Sequence, residues 1–276
     1  TPEHGIDVWD RAAGQYVRKE AQELRRNDWL CLVPSPSYQD RDTLIPLESA
    51  KIGKKQYPPF LDEEVAELIG IFSAFAKIRH KSFSINLHPK AKNRIYSHYR
   101  SDVGQILNKI HSIFYKLFGT YPKSTLAGDR PHLVRVYLHF IMDWFWKNFP
   151  ELYRSRGYEI PRLILASNKS VRRAFLRGYF LSAMTKYENP ENVDSPIECI
   201  WVRSRNDSAN AALRAMLLDE GVIARSSMKK NNIAIRGLDL DRFFNRIGFD
   251  HPDATRLRTR PRLDYPNDNR VPLTSA

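Results

Sequence analysis

The side chains that most often carry chemistry are few in this sequence and do not cluster. Cys31 and Cys199 stand far apart with no partners at metal-ligand spacing, so neither a disulfide framework nor a zinc site is expected, and a reducing, intracellular setting fits. His80, His88, His98 and His111 share no consistent ligand spacing and read as solvent or phosphate contacts. What the chain carries in quantity is cationic hydrogen-bond donors, 44 Lys and Arg against 31 Asp and Glu, for a net charge of +13. An excess of that size points to a polyanionic partner. It is uneven: residues 1–75 carry a net −4, residues 76–150 a net +10 and residues 161–276 a net +7. The basic surface therefore begins abruptly after the first quarter of the chain.

Elements must exist to hold those cations in place, and 276 residues at 42% hydrophobic suffice for one large or two modest domains with a real core. No apolar run approaches the roughly 18–20 residues that cross a bilayer, so a membrane span is excluded from the reading. Val8 and Trp9, with Tyr16 and Val17 across a polar stretch containing Gly14, predict a short hairpin; a helical turn over 20–25 and a strand over 29–33 follow. Residues 35–60 are polar and proline-containing, the pattern of a linker. Asp62, Glu63 and Glu64 then open a helix carrying Val65, Leu68, Ile69 and Phe72 at helical spacing. Further elements are a strand over 82–87, a basic helix over 102–118 ended by Gly119, a strand over 133–138 and a helix over 139–149. A second pass of the same order predicts helices over 169–184, 207–219 and 239–247 with strands over 197–203, 221–227 and 231–236. Helix and strand thus alternate twice in similar order, which favours an internally duplicated domain.

Two of these helices carry related strings, LIGIFSAFA at 68–76 and LRGYFLSAM at 176–184. Each has Leu (Leu68, Leu176), Gly two residues on (Gly70, Gly178) and an aromatic two beyond that (Phe72, Phe180). They resemble the paired LAGLIDADG helices of homing endonucleases. The text around the second, IPRLILASNKSVRRAFLRGYF, and the later LDLDRFFNRIGFDHPDATRL are similar to the corresponding stretches of that family. TPEH with AQELRRNDWLCLVP behind it resembles the splicing-domain segment that precedes an endonuclease inserted in an intein, and YPNDNRVP resembles the return linker.

The resemblance implies an α+β fold: a pseudo-two-fold duplicated endonuclease of two αββαββα repeats, preceded by a small all-β fragment of a splicing (Hint) domain. Its expected divisions are 1–48 for the splicing segment, 49–160 and 161–250 for the two repeats, and 251–276 for the returning linker. The two motif helices would pack on the pseudo-axis, with Gly70 and Ala74 on one and Gly178 and Ser182 on the other small enough for close approach. Each repeat would lay a curved sheet in the DNA major groove and offer polar side chains to phosphates and base edges. Ser82, Ser84 and Asn86, alternating with Phe83, Ile85 and Leu87, are the candidates in the first repeat. Arg203, Arg205, Arg225, Lys229, Lys230 and Arg236 are those of the second, with Lys77 and Lys186 just past the two motifs.

Cleavage in that family resembles metal-assisted phosphodiester hydrolysis, with an acid at the eighth place of each motif holding divalent ions. Here that place is Phe75 in one helix and Ala183 in the other, and neither can bind a hard cation. No Asp or Glu lies between residues 73 and 81 or between 180 and 187, so no shift of register recovers one. The expectation is a chain that binds double-stranded DNA without cleaving it, with Mg²⁺ required only if nuclease activity persists. A still-active endonuclease and a recruited DNA-binding regulator or scaffold are the alternative readings. Thr1 and His4 match the TxxH pattern beside an intein's N-terminal splice junction, which implies that the other partners are the rest of the intein and its host protein. The chain opens at Thr1 and ends in VPLTSA without a His-Asn pair, so it is expected to be the middle of a longer protein, unable to splice as it stands. A monomer in the cytoplasm or nucleoid completes the expectation.

Overall fold

Three short side chains fix where the main helices begin. Asp62 Oδ1 accepts from the Val65 N–H at 2.8 Å, Asn168 Oδ1 from Val171 at 3.0 Å and Asn206 Oδ1 from Ala209 at 2.7 Å, each satisfying an otherwise orphaned helix-start donor. The structure, a computed structural model, describes residues 5–10, 15–25, 29–31, 44–48, 57–75, 77–79, 82–86, 100–125, 133–136, 139–153, 159–187, 199–204, 206–227, 232–248 and 270–272.

In chain order the first elements are β1 (Gly5–Asp10), β2 (Gln15–Glu20), a 3-10 turn (Ala21–Glu23) and β3 (Trp29–Cys31). A two-stranded ladder of β4 (Ile45–Pro46) and β5 (Phe60–Leu61) follows. The first repeat is α1 (Glu63–Phe75), β6 (Lys77–Arg79), β7 (Ser82–Asn86), α2 (Arg100–Phe118), β8 (Lys123–Thr125), β9 (Leu133–Val136) and α3 (His139–Asn148). A 3-10 turn (Pro150–Tyr153) and α4 (Arg162–Leu165) lead into the second. That repeat is α5 (Lys169–Ala183), β10 (Met184–Tyr187), β11 (Cys199–Arg203), α6 (Asp207–Asp219), β12 (Arg225–Ser227), β13 (Asn232–Arg236) and α7 (Leu238–Ile247), after which comes β14 (Arg270–Pro272).

The fold is α+β, and the order αββαββα occurs twice. Both repeats wind their four strands into an antiparallel sheet of the same order, β6-β7-β9-β8 in one and β10-β11-β13-β12 in the other. By contacts the chain divides into two compact units, residues 37–258 and a smaller unit of residues 1–36 with 259–276. The smaller one is a sheet ordered β14-β3-β1-β2, in which β1 and β2 form the expected hairpin with Val8 opposite Val17 and Trp9 opposite Tyr16. Its last strand comes from the far end of the chain: Val271 pairs with Leu30 and Pro272 with Trp29.

Aromatic side chains fill the first repeat. Phe72 stands edge-on to Phe114 and Phe145 at centroid distances of 5.9 and 5.3 Å, and Phe118 edge-on to Trp144 at 5.6 Å. Phe180, which holds the place of Phe72 in the second motif, packs on Phe243 of α7 at 4.6 Å. Such pairs add about 0.5–1.5 kcal/mol each beyond the area they bury.

Several boundaries differ from the sequence reading. The second motif helix ends at Ala183, and Met184 already belongs to β10. The strand expected over 221–227 begins only at Arg225, because the N–H groups of Gly221 and Val222 donate to the Leu218 and Leu217 carbonyls and close α6. Of the strand expected over 133–138 the described part is Leu133–Val136, and strands β6 and β8 and helix α4 arise where none was expected. Among the described residues no helix is long and apolar enough to cross a membrane.

Candidate nucleic-acid interface

The framework of the site is the crossing of α1 and α5. A Cβ on Gly178 would lie 2.8 Å from the Glu67 carbonyl carbon and closer still to its oxygen. One on Gly70 would lie 2.7 Å from the Tyr179 nitrogen and hard against the Phe175 carbonyl. Glu67 precedes Gly70 by three residues and Phe175 precedes Gly178 by three, so each glycine seats the same backbone position of the opposite helix. A reciprocal contact of this kind is what a local two-fold axis between equivalent segments generates. Leu68, Leu176 and Ala74 are buried. Ser182 lies in α5, and its side chain falls outside what the structure describes.

Phe75 and Ala183 occupy equivalent places, each the last residue of its motif helix. An apolar ring and a methyl group cannot donate to a hard divalent cation, which takes carboxylate, carbonyl or water oxygens. Among the described residues no group of three or more His, Cys, Asp or Glu is placed to hold a metal ion. The side-chain chemistry at these two positions therefore does not fit the metal that the resemblance implies.

The strand registers assign the polar residues to faces, because residues directly opposite in an antiparallel ladder share a face and neighbours along a strand alternate. In the first sheet Lys77 pairs with Ser84, Ser84 with Arg135 and Arg135 with Lys123, a row running across all four strands. Arg79, Ser82, Asn86 and Thr125 share that face by alternation, while Ile78, Phe83, Ile85, Val134 and Val136 fall on the other. In the second sheet Thr185 pairs with Trp201, Trp201 with Ala234 and Ala234 with Arg225, and the same face takes Arg203, Asn232 and Arg236. The opposite face is core: Ile200, Val202, Ile233 and Ile235 are fully buried. Among the described strand residues the two polar faces together carry Lys77, Arg79, Lys123, Arg135, Arg203, Arg225 and Arg236, and no carboxylate.

Of the residues singled out in the sequence, Lys77, Ser82, Ser84 and Asn86 come together on one face, and Arg203, Arg225 and Arg236 on the other sheet's counterpart. Lys186 is separated from them. It pairs with Ile200, so its register position is on the core-side face, and Thr185 is the residue equivalent to Lys77. Arg205, Lys229, Lys230, Thr1 and His4 lie outside the described residues, as do His80, His88 and His98. His111 is not the solvent or phosphate contact its sequence position suggested. Its Nε2 is buried, its ring meets that of Tyr121 edge-on at 5.9 Å, and desolvation lowers its pKa, which favours the neutral imidazole. Residues that the sequence reading missed are Arg79, Lys123 and Arg135 in the first sheet and Trp201 in the second. Arg135 had a signal: it is the polar member of the alternation Leu133, Val134, Arg135, Val136.

Ion pairs away from these faces hold the helices that support them. Arg177 of α5 reaches Glu63 of α1 at 3.3 Å and donates to the Ile247 carbonyl at the end of α7 at 3.2 Å. Glu220, 2% exposed, receives Arg173 at 2.7 Å and Lys169 at 3.8 Å. Asp239 at the start of α7 accepts from the Ile223 N–H at 3.1 Å, and burial raises its pKa against the lowering effect of that bond and of Arg242.

No protein-family model matches the sequence, and none of the curated proteins does. Among solved structures, the chain is similar to full-length DUF199/WhiA from Thermatoga maritima at 14% identity and a TM-score of 0.44, covering 75% of this chain and 60% of that one. The chain thus spans about 60% of the length of that protein. Similarity to I-DmoI, solved in complex with DNA and Mn, is 16% in identity with a TM-score of 0.40, over 69% of this chain and 99% of that one. The homing endonuclease I-WcaI, solved bound to its DNA recognition sequence, is 13% identical with a TM-score of 0.43, over 73% of this chain and 88% of that one.

Proposed function

We propose that the chain is the central part of an intein whose LAGLIDADG-type endonuclease domain binds double-stranded DNA through the polar faces of its two sheets and has lost metal-dependent cleavage. One observation carries the binding half of this reading: two sheets of identical strand order bring seven cations and no carboxylate to the register positions of one face among the described strand residues, while the other face carries the aliphatic and aromatic rows Ile78, Phe83, Ile85, Val134, Val136 and Ile200, Val202, Ile233, Ile235. A surface of that composition neutralises phosphates, and its Arg, Ser and Asn donors suit base edges in the major groove. Phe75 and Ala183 at the two helix ends support the loss of cleavage, since without metal charge at the scissile phosphate several kcal/mol of transition-state stabilisation go unprovided. The intein half rests on the TxxH pattern of Thr1 and His4 and on the splicing-type text. The pairing of β14 with β3 is consistent with it, because an insertion within a host sheet must return its chain to that sheet.

The binding test is fluorescence anisotropy of a labelled random-sequence duplex titrated with the protein at several salt concentrations. Affinity falling steeply with salt is expected, with a slope of about −0.9 per phosphate neutralised. Weak, salt-independent binding would refute it. Incubation of the empty insertion site with the protein and Mg²⁺ should give no sequence-specific double-strand breaks, and such breaks would overturn the loss of cleavage. A nucleophile, Cys or Ser, encoded upstream of Thr1, with His-Asn followed by Cys, Ser or Thr downstream of Ala276, is the corresponding test of the intein reading.

A further inference from the structure

Where α2 ends, two tyrosines stand in solvent with one ring laid on the other. His111 and Tyr115 are four residues apart and so share a face of the helix. Gly119 then takes a φ of 62° and donates its N–H to the Tyr115 carbonyl at 2.8 Å, which reverses the chain. The reversal brings Tyr121 against both residues. Its ring stacks on that of Tyr115 at a centroid distance of 4.8 Å and an angle of 14°, and meets that of His111 edge-on at 5.9 Å. Although each tyrosine covers one face of the other, Tyr115 remains 54% exposed and Tyr121 58%. The turn itself does not require this. The second repeat also leaves its helix, α6, through a glycine of positive φ, Gly221, and starts its edge strand four residues later at Arg225, as the first does at Lys123. There the place of Tyr121 falls to Ile223, which is half-buried, and α6 contains no aromatic residue.

Two parallel rings with their outer surface in water make a stacking platform, and every nucleobase has a π-face to set on it. Inside a duplex each base face is covered by the next base pair, so the platform suits an unpaired base. A cation for the adjoining phosphate is close by. Lys109 and Lys116 of α2 are held by Glu67, at 3.3 Å, and by Glu64, whereas Lys123 is exposed and in no ion pair among the described residues. Its Cα lies at most about 7 Å from that of Tyr121, within reach of the next phosphate along a stacked strand. A protein partner is the poorer fit. A stable interface takes about 800 Å² from each side, and here the exposed neighbours along the chain include Ser112, Lys116 and Lys123, all polar. We infer that Tyr115 and Tyr121 form a second nucleic-acid site, one that stacks an unpaired base of single-stranded DNA, with Lys123 on the adjoining phosphate. The choice of DNA rests on the duplex-binding reading above, because Lys123 also belongs to the row that crosses the first sheet; the stacking does not.

The experiment titrates the full chain into labelled oligodeoxythymidine of about twelve nucleotides and reads anisotropy at several salt concentrations. Oligouridine, an abasic deoxyribose-phosphate strand and a random-sequence duplex of the same length are run beside it. The unaltered chain should bind the thymidine strand and should bind the abasic strand, which keeps every phosphate and lacks the bases, at least about fivefold more weakly. Tyr115→Leu and Tyr121→Leu keep apolar bulk without the ring. Each should weaken thymidine-strand binding roughly 5- to 150-fold and change duplex affinity less than about twofold. Tyr121→Phe keeps the ring and should bind the thymidine strand within about twofold of the unaltered chain. Lys123→Ala should weaken both ligands and lower the single-strand salt slope by about 0.7. No binding of the thymidine strand, equal binding of the thymidine and abasic strands, or single-strand affinity untouched by both leucine variants overturns the inference and leaves the duplex-binding reading standing. Tighter binding of oligouridine overturns the assignment to DNA. A chain that binds the thymidine strand through these rings but binds no duplex refutes the duplex-binding reading instead.

Discussion

Replacing Gly178 by Ala tests the reciprocal seating of α1 and α5 directly. Taken alone, the change favours the helix, since alanine is better than glycine in a helix interior by about 1 kcal/mol. The structure reverses that sign. The new Cβ would stand 2.8 Å from the Glu67 carbonyl carbon and 3.1 Å from its Cα, whereas ordinary contact begins at 3.4 Å. The obstacle is backbone inside a helix whose flanking residues Val65, Leu68, Ile69 and Phe72 are buried, so no side chain can swing aside. The helices must separate by at least roughly half an ångström, opening gaps along a close-packed seam. Overpacking of this kind costs about 1–3 kcal/mol and occasionally more. With the backbone as obstacle the upper end applies, and subtracting the propensity gain leaves a net loss of about 2 kcal/mol. Gly70→Ala meets the Tyr179 nitrogen at 2.7 Å and should cost a similar amount. Because both substitutions ask for the same separation, the double variant should lose less than the sum of the singles, by about 1 kcal/mol. Urea unfolding of the three variants, with unchanged slopes as the check on two-state behaviour, measures this. Stabilisation by either alanine, or strict additivity of the pair, would refute the packing argument.

Asp239→Asn should remove a pH dependence. Burial raises the folded-state pKa of Asp239, so its contribution to stability is present below the ordinary carboxylate value and is lost as pH rises through the raised one. The melting temperature of the variant relative to the parent should therefore climb with pH across the carboxylate range; a flat difference would count against it. Arg177→Ala should cost about 1 kcal/mol in chemical unfolding, mainly through the Ile247 carbonyl at the end of α7, because its partner Glu63 is half exposed and screened. On the function proposed above, introducing acids with Phe75→Asp and Ala183→Asp should give Mg²⁺ uptake by the duplex complex in calorimetry, and none is expected of the parent. Equal uptake by parent and variant would show that the helix ends are not where metal binds.

The parts of this fold that were legible in the sequence are those specified by local pattern. Asp62, Glu63 and Glu64 marked the start of α1, the pattern from Asp207 that of α6, and a hairpin followed from Val8 and Trp9 facing Tyr16 and Val17 across a Gly14-containing stretch. Strands β6, β8 and β10 escaped because Lys77–Arg79, Lys123–Thr125 and Met184–Tyr187 are three or four residues long, too short for a period to show. What makes them strands is the hydrogen-bonded neighbour, Ser84 for Lys77 or Trp201 for Thr185, and that neighbour is set by the tertiary fold. The same limit governed the site. Both Lys77 and Lys186 stand just past their motifs, but Lys77 follows by one residue and Lys186 by two, and a shift of one residue moves a register position to the opposite face.

The duplication also explains why some positions kept their likeness and others did not. Gly70 and Gly178 face backbone in a reciprocal contact, so any larger residue at either one disturbs both helices. Phe72 and Phe180 likewise fill the core of their repeats. These are packing constraints, and they apply whatever the protein binds. No reciprocal backbone contact of that kind ties Ser84 to Trp201 or Arg135 to Ala234, which hold equivalent register positions in the two sheets. Two sheets of one winding can therefore carry Lys77, Ser84, Arg135 and Lys123 in one row and Thr185, Trp201, Ala234 and Arg225 in the corresponding row of the other.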